Sequence, residues 1–265
     1  MNVCYHLNQL GHKASIISKI GNDENGKALV DFLDQHNIET SLIQTHAEYS
    51  TGTVIATVCG NEMSYDIVKP VAWDFIEVNE NVLKKVANAQ YLVCGSLAAR
   101  NIHSKNALFQ LMKVAKTIIV DINLRPPHFD QLTIEQLLEK ADILKLNHHE
   151  LGLISGWHNE EINFENQILF LAKRYSISTI MVTKGENGAT LFTNHQIFNH
   201  PGYKVKVNDT IGSGDAFLAG FLSKQYDNIA PEIALDFACK LGAFVASKKG
   251  ACPEYKSSEV DLLNN

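Results

Sequence analysis

Thr117-Ile118-Ile119-Val120-Asp121-Ile122, Ile143-Leu144-Lys145-Leu146 and Thr179-Ile180-Met181-Val182-Thr183 are three short apolar runs of strand length. Between them stand helical patterns at Ile134–Glu139 and Phe164–Tyr175. Short apolar strands alternating with helices predict an α/β chain whose mostly parallel sheet is covered on both faces. Ligands of such sheets bind beyond the carboxyl ends of the strands, so the residues that follow each run deserve the closest reading.

The alternation extends in both directions. Upstream lie a strand at Tyr91–Cys94, helices from about Asn81 and from Ser104, and a β-then-α step formed by Ala14–Ile20 and Gly26–His36. The chain begins inside a helix, with Val3, Leu7 and Leu10 at helical spacing before a stop at Gly11. Downstream come a short strand pair near Ala189–Phe192 and Gln196–Phe198, then helices Ala216–Gln225 and Ile233–Ser247. One feature breaks the rhythm: Thr53–Val58 and Met63–Val68, separated by Gly60, Asn61 and Glu62, predict a hairpin that could serve as a small lid at about residues 50–68. No repeat or linker divides the chain, so residues 1–265 are expected to form one domain.

Each of the three central strands delivers a polar cluster to the same sheet edge. These are Asp121-Ile122-Asn123-Leu124-Arg125, Asn147-His148-His149-Glu150 and Thr183-Lys184-Gly185-Glu186-Asn187-Gly188. A fourth cluster, Asn208–Phe217, leads into an apolar helix. Small residues at Gly212, Ser213 and Gly214 let backbone N–H groups point outward at a helix amino terminus and form an anion site. Asp215, in the first turn, should stay ionised and able to accept a proton from an alcohol. Taken alone, this segment is equally well read as a loop with a helix-capping aspartate.

Composition narrows the function. The 23 Lys and Arg against 29 Asp and Glu give a formal charge of −6, with no basic block, which argues against nucleic-acid or anionic-membrane partners. Five dispersed cysteines without a C-x-x-C pair predict a reducing, cytoplasmic setting. No run of 18 apolar residues exists. Walker A, G-x-G-x-x-G after a strand, and H-E-x-x-H are all absent, which removes P-loop, dinucleotide and zincin readings. His148 and His149 are adjacent and expected to diverge; the histidines as a group are read as structural or surface residues.

Together these segments resemble the PfkB carbohydrate kinases, the family of ribokinase and fructokinase. Asp209–Phe217 is similar to the family's D-T-x-G-A-G-D-x-F signature, with Ser213 in place of Ala. Gly21–Gly26 resembles G-x-D-x-x-G, Asp121–Arg125 D-x-N-x-R, Asn147–Glu150 N-x-x-E, and Lys248–Ala251 the R/K-x-G-A segment. Tyr65–Asp74, Asn123–Pro127 and Cys239–Ala243 look like bacterial fructokinases in particular.

The resemblance implies a ribokinase-like three-layer sandwich with a small β lid, and transfer of the ATP γ-phosphoryl group to a sugar hydroxyl, most simply of fructose. It implies Asp215 as the base, Gly212, Ser213 and Gly214 as the anion hole, and Asn147 and Glu150 as organisers of Mg²⁺ through water. Thr183, Lys184, Gly185, Gly188, Ala243 and Ser247 would bind ATP. Asn2, Gly95, Ser96, Asn123 and Arg125, with Asp215, would meet the sugar. Asp209 and the carbonyls near Ile211, Val245, Lys248 and Gly250 occupy positions where relatives hold a monovalent cation such as K⁺. The exposed lid edge suggests pairing with a second copy as a homodimer.

Family members open with a central strand carrying a sugar-binding Asp, lid strands and a G-G-x-x-x-N turn. This chain starts at the last residue of that turn, so roughly 30 residues of the pattern are expected to be missing, at a cost in backbone pairing. Two other readings stay open at this stage: another sugar kinase of the family, for ribose or 2-keto-3-deoxygluconate, and an impaired sugar- or nucleotide-binding fragment.

Overall fold

The computed structural model describes residues 1–59, 62–158 and 163–263. In chain order the elements are α1 (Asn2–Gln9), β1 (Ser18–Gly21), α2 (Glu24–Gln35), β2 (Ile43–His46), β3 (Val54–Cys59), β4 (Glu62–Ile67), α3 (Glu80–Asn88), β5 (Leu92–Gly95) and α4 (Ile102–Met112). There follow β6 (Ile118–Asp121), α5 (Gln131–Leu138), β7 (Ile143–Asn147), α6 (His148–Gly156), α7 (Phe164–Tyr175), β8 (Thr179–Thr183), β9 (Ala189–Thr193), β10 (Gln196–His200), α8 (Ser213–Tyr226), α9 (Pro231–Ala246) and α10 (Ser257–Asp261). The chain divides into two compact units, one of Ser15–Leu92 with Leu97–Lys116, the other of Met1–Ala14 and Val93–Ser96 with everything from Thr117 onward.

In the smaller unit β1 and β2 pair in parallel, with Ser18 opposite Ile43 and Gly21 opposite His46. β2 escaped the sequence pattern because Gln44, Thr45 and His46 leave only Ile43 as an apolar residue. The predicted hairpin is present as the antiparallel pair of β3 and β4, with Val54 opposite Ile67, and forms the small lid. Of its expected turn, Glu62 starts β4, while Gly60 and Asn61 lie outside the described residues. Leu42, Val82, Val86 and Leu111 make one cluster of its core, with Ile17 and Val78 packed against them.

Two polar knots fix this unit. Asp23 caps α2 by accepting from the Gly26 N–H at 2.8 Å, which starts the helix two residues before its predicted position. The same carboxylate accepts from Thr51, from the N–H at 2.7 Å and from the hydroxyl at 2.6 Å. These donors, led by the Thr51 hydroxyl, hold the Asp23 carboxyl below its usual range. A folded-state pKa depressed in this way gives stability that is present above the unfolded value and lost as the pH falls through the folded one. Asp23→Ala should therefore cost about 1 kcal/mol at neutral pH, and urea midpoints should show the gap to the wild type closing as the pH is taken well below 4. A gap that stays constant with pH would mean the carboxylate charge has no part in the cap.

The second knot is a buried ion pair. Arg100 donates from Nε to Asp74 Oδ1 and from Nη2 to Asp74 Oδ2, both at 2.8 Å, and the two side chains are 2% and 1% exposed. Its remaining donors reach the carbonyls of Ile67 at 3.3 Å and Val68 at 2.8 Å, where the lid hairpin ends. The guanidinium also lies 3.8 Å from the centre of the Trp73 ring.

The larger unit is built on a six-stranded sheet in the order β10-β9-β8-β7-β6-β5. β6, β7 and β8 run parallel, with Asp121 opposite Lys145 and Asn147 opposite Thr183, so their carboxyl ends share one edge as the alternation predicted. β9 and β10 add on antiparallel. α6 and α7 pack on β7 and β8, and α9 on β9 and β10. This is a ribokinase-like arrangement: a mostly parallel central sheet flanked by helices.

α6 was not anticipated, because Leu151, Ile154 and Ser155 are buried, Gly152 and Gly156 interrupt the pattern, and no clear polar face remains. It also corrects the expectation for the two adjacent histidines. His148 and His149 occupy the first turn of α6, and their rings lie 3.8 Å apart at 38° rather than diverging, because exposed first-turn side chains are free to swing together. α8 is enclosed through its middle: Ala216 through Ser223 are all buried. Ala216, Phe237, Leu241, Phe244 and Val245 form a core between α8 and α9, closed by Tyr255, Val260 and Leu10.

Candidate active site

The Gly212-Ser213-Gly214-Asp215 turn sits at the amino end of α8, and its shape follows from what surrounds it. Gly212 has φ +80° and serves as the N-cap, with no side chain to occupy the first N–H groups of the helix. A side chain there would also strike Ala251, whose Cβ would lie 2.6 Å from the added carbon. Only glycine satisfies both demands. Ser213 donates its N–H to the Thr210 carbonyl at 3.3 Å, a long bond, and its hydroxyl to the same oxygen at 2.9 Å. Apart from that long bond, no side chain caps the helix end, which is the arrangement that binds anions.

Asp215 stands half-buried in this first turn. Its Oδ2 accepts from Asn2 Nδ2 at 2.8 Å, and Asn2 Oδ1 in turn accepts from Cys252 Sγ at 3.5 Å. This link spans nearly the whole chain and had no signal in local pattern. α1 is held beneath it by His6, fully buried, whose Nε2 meets the Ala251 carbonyl and whose Nδ1 meets the Tyr255 hydroxyl, each at 3.0 Å. The carbonyl can only accept, so Nε2 carries the proton and Nδ1 takes the hydroxyl hydrogen. Burial lowers the His6 pKa, which favours that neutral ring.

The cluster after β7 forms a capping box. Asn147 Oδ1 accepts from the Glu150 N–H at 2.9 Å, and Glu150 Oε2 accepts from the Asn147 N–H at 2.8 Å. Glu150 Oε1 accepts from the Leu124 N–H at 2.7 Å, which joins this cluster to the one after β6. In that neighbouring loop Asn123 is exposed with φ +41°, and Arg125 is exposed with its Nη1 on the Leu124 carbonyl at 3.0 Å. Beneath both loops, Asp121 Oδ2 meets Lys145 Nζ at 2.7 Å with each side chain 9% exposed. Burial raises the Asp121 pKa above the usual carboxylate range against the pull of Lys145, and Asp215 and Glu150 add repulsion.

The remaining predicted residues fall at the periphery of this arrangement. Gly95 ends β5 and lies against the Asp121 carbonyl, and Ser96, buried, starts the short turn that follows. Thr183 ends β8, the Lys184 N–H bonds to the Gly188 carbonyl at 2.8 Å, and Gly185 is exposed in the short turn between them. Ala243 and Ser247 belong to the last turn and cap of α9, and Ser247 helps line a groove of about 530 Å³ with Lys204, Lys206 and Asn208. The N–H groups of Asn208 and Asp209 bond to the Ala246 carbonyl, and Asp209 Oδ1 accepts from Ile211. The Val245 carbonyl accepts from Lys248, and Gly250 turns with φ +79°. The structure therefore joins Asp209 to Ile211 and Val245 to Lys248, while no hydrogen bond or ion pair joins Thr183 or Lys184 to Ala243 or Ser247 among the described residues.

Sequence reasoning passed over Lys145, although a lysine within the apolar run of β7 was a visible sign of a buried charge needing a partner. It noticed Asp121 only as part of a cluster.

The chain is 27% identical over 267 residues to the fructokinase of Escherichia coli, covering 94% of this chain and 85% of that one. It is 28% identical over 269 residues to the fructokinase of Klebsiella pneumoniae, with the same coverage. Among solved structures, fructokinase from Xylella fastidiosa with bound ATP matches with a TM-score of 0.88 at 21% identity, over 99% of this chain and 88% of that one. Fructokinase from Vibrio cholerae O395, bound to fructose, ADP and calcium, matches with a TM-score of 0.83 at 23% identity, over 99% and 89%. The family model for pfkB family carbohydrate kinases matches residues 1–257, and with that span of agreement the chain belongs to the pfkB family of carbohydrate kinases, the sugar phosphotransferases.

Proposed function

We propose that the protein is an ATP-dependent fructokinase. The observation that carries this reading is the uncapped amino end of α8 with Asp215 in its first turn, held at one oxygen by Asn2. Asn2 engages Oδ2, and Oδ1 is the oxygen assigned to take the proton of the incoming hydroxyl. The carboxylate takes the proton as the sugar oxygen forms its bond to the γ-phosphorus and the bond to the β–γ bridging oxygen breaks, releasing ADP. Phosphoryl transfer of this kind depends on positioning and on cancelling charge at the transferring oxygens, which the N–H groups of Gly212, Ser213 and Gly214 supply.

Thr183, Lys184, Gly185, Gly188, Ala243 and Ser247 are assigned to ATP, and Asn2, Gly95, Ser96, Asn123 and Arg125 to the sugar. Mg²⁺, when bound, neutralises phosphate charge. Both Glu150 oxygens already accept backbone N–H groups, and no cluster of three His, Cys, Asp or Glu suited to a metal exists among the described residues. Asn147 and Glu150 thus fit the ion through water rather than directly. The segment from Asp209 and Ile211, with Val245, Lys248 and Gly250, is assigned to a monovalent cation such as K⁺. Val54 and Ile55, exposed on the hairpin, suit pairing with a second copy, and the cysteine usage suits the cytoplasm.

Fructose is favoured over other acceptors because fructokinases recur among the relatives, from both bacteria and plants. Rates of ADP formation with fructose, ribose, 2-keto-3-deoxygluconate and nucleosides should give fructose the highest kcat/KM. Ribose or a nucleoside in first place would move the chain to another branch of the family.

A further inference from the structure

The most deeply buried charges of the larger unit take no part in the steps above. Lys145 and Asp121 are register partners on β7 and β6, both nearly sealed from solvent, and they form a 2.7 Å ion pair. Two details set this pair apart from one retained for stability. Asp121 Oδ1 is buried and has no hydrogen-bond partner among the described residues, so the carboxylate is only half satisfied. Lys145 Nζ lies 3.1 Å from the place a Cβ on Gly214 would occupy, which sets the ammonium directly against the second residue of α8.

A cation at that position is electrostatically misplaced in isolation. The amino end of a helix already carries about half a positive charge, so Lys145 and α8 repel each other unless an anion lies with them. An ammonium has three N–H donors, and Asp121 Oδ2 is its acceptor here. Asp121 in turn interacts electrostatically with two further carboxylates, Asp215 and Glu150. A polyphosphate approaching these groups without Lys145 would meet net repulsion from the side chains.

We propose that Lys145, held in place by Asp121, is a positioning residue for phosphoryl transfer, fixing a positive charge behind Gly214 where the transferring group gathers negative charge. This rests on the reading of α8 as the phosphoryl site. The charge acts from within the sheet, and the absence of a side chain at Gly214 lets it come close.

The test uses Lys145→Met and the double variant Lys145→Met with Asp121→Asn, which leaves no buried charge unpaired. Measured for each are kcat, KM for the sugar, thermal stability, and affinity for ADP with and without aluminium fluoride, a mimic of the transferring phosphoryl group. Both variants should lose at least about tenfold in kcat with sugar KM changed less than about threefold. ADP alone should bind as in the wild type, while the gain in affinity brought by aluminium fluoride should disappear.

Asp215→Asn, by contrast, should lose turnover and keep that gain. A wild type that phosphorylates none of the sugars would overturn the fructokinase reading, and the fluoride comparison would still report on Lys145. A folded double variant with wild-type kcat, or with the fluoride effect intact, would overturn the proposal. If the double variant does not fold, the single variant yields the same two readouts.

Discussion

Replacing Asp215 by Asn should lower kcat for sugar phosphorylation at least about a hundredfold while ADP still binds. The amide preserves the shape of the side chain, and its oxygen can still accept from Asn2 Nδ2, which now donates to Asp215 Oδ2 at 2.8 Å. What it lacks is a site for the hydroxyl proton at the moment the oxygen attacks. Nothing in the nucleotide assignment rests on Asp215, so titration of ADP by calorimetry should give a dissociation constant close to that of the wild type. Turnover within a few-fold of wild type would remove Asp215 from the role of base. A loss confined to KM would make it a sugar-binding group instead.

The largest effect on stability should come from Arg100→Leu. The substitution strands Asp74, 1% exposed, with the Val71 N–H as its remaining donor in the knot, and it leaves the carbonyls of Ile67 and Val68 without theirs. Removing one partner of a buried ion pair typically costs about 3–5 kcal/mol, a large part of the roughly 5–15 kcal/mol that holds a domain together. Denaturant unfolding should show that loss. Hydrogen exchange should rise along β3 and β4, whose lower end the guanidinium ties down. A second change, Asp74→Asn, should recover part of the stability, because the orphaned charge is then gone. A loss under about 1 kcal/mol for Arg100→Leu would mean that solvent reaches this pair more easily than its burial indicates.

The parallel core of the sheet could be read from the chain because its signals were local: β6, β7 and β8 are compact apolar runs bounded by polar residues, and each matches the predicted position to within two residues. The helix of the α8 segment was legible from its apolar run, but the turn before it read equally well as a capped loop until the motifs along the whole chain were taken together. α6 was hidden because its buried face includes Glu150 and Ser155 while its exposed face carries Leu153 and Gly156, which blurs the amphipathic period on which helix reading depends. β2 was hidden because a short strand with one apolar residue owes its existence to its neighbour, β1, rather than to its own composition. Within the site, Asn147 and Glu150 were recognisable as a motif, whereas the contact of Asn2 with Asp215 joins residues 213 apart in the chain and leaves no trace in spacing.

The strict alternation of β7 has a bearing on how this protein tolerates change over generations. Lys145 and Asn147 share one side of the strand, two residues apart, and Leu144 and Leu146 share the other. Point substitutions on the leucine side can be absorbed by small adjustments of neighbouring apolar groups. A single inserted or deleted residue cannot, because it would exchange the two sides, send the ammonium into the hydrocarbon and bring a leucine to the carboxylate of Asp121. Lineages descended from this sequence should therefore exchange one apolar residue for another at Leu144 and Leu146, keep Lys145 and Asn147, and change length only in the loops beyond β7, so that the strand behaves as a fixed ruler against which the chemistry is measured out.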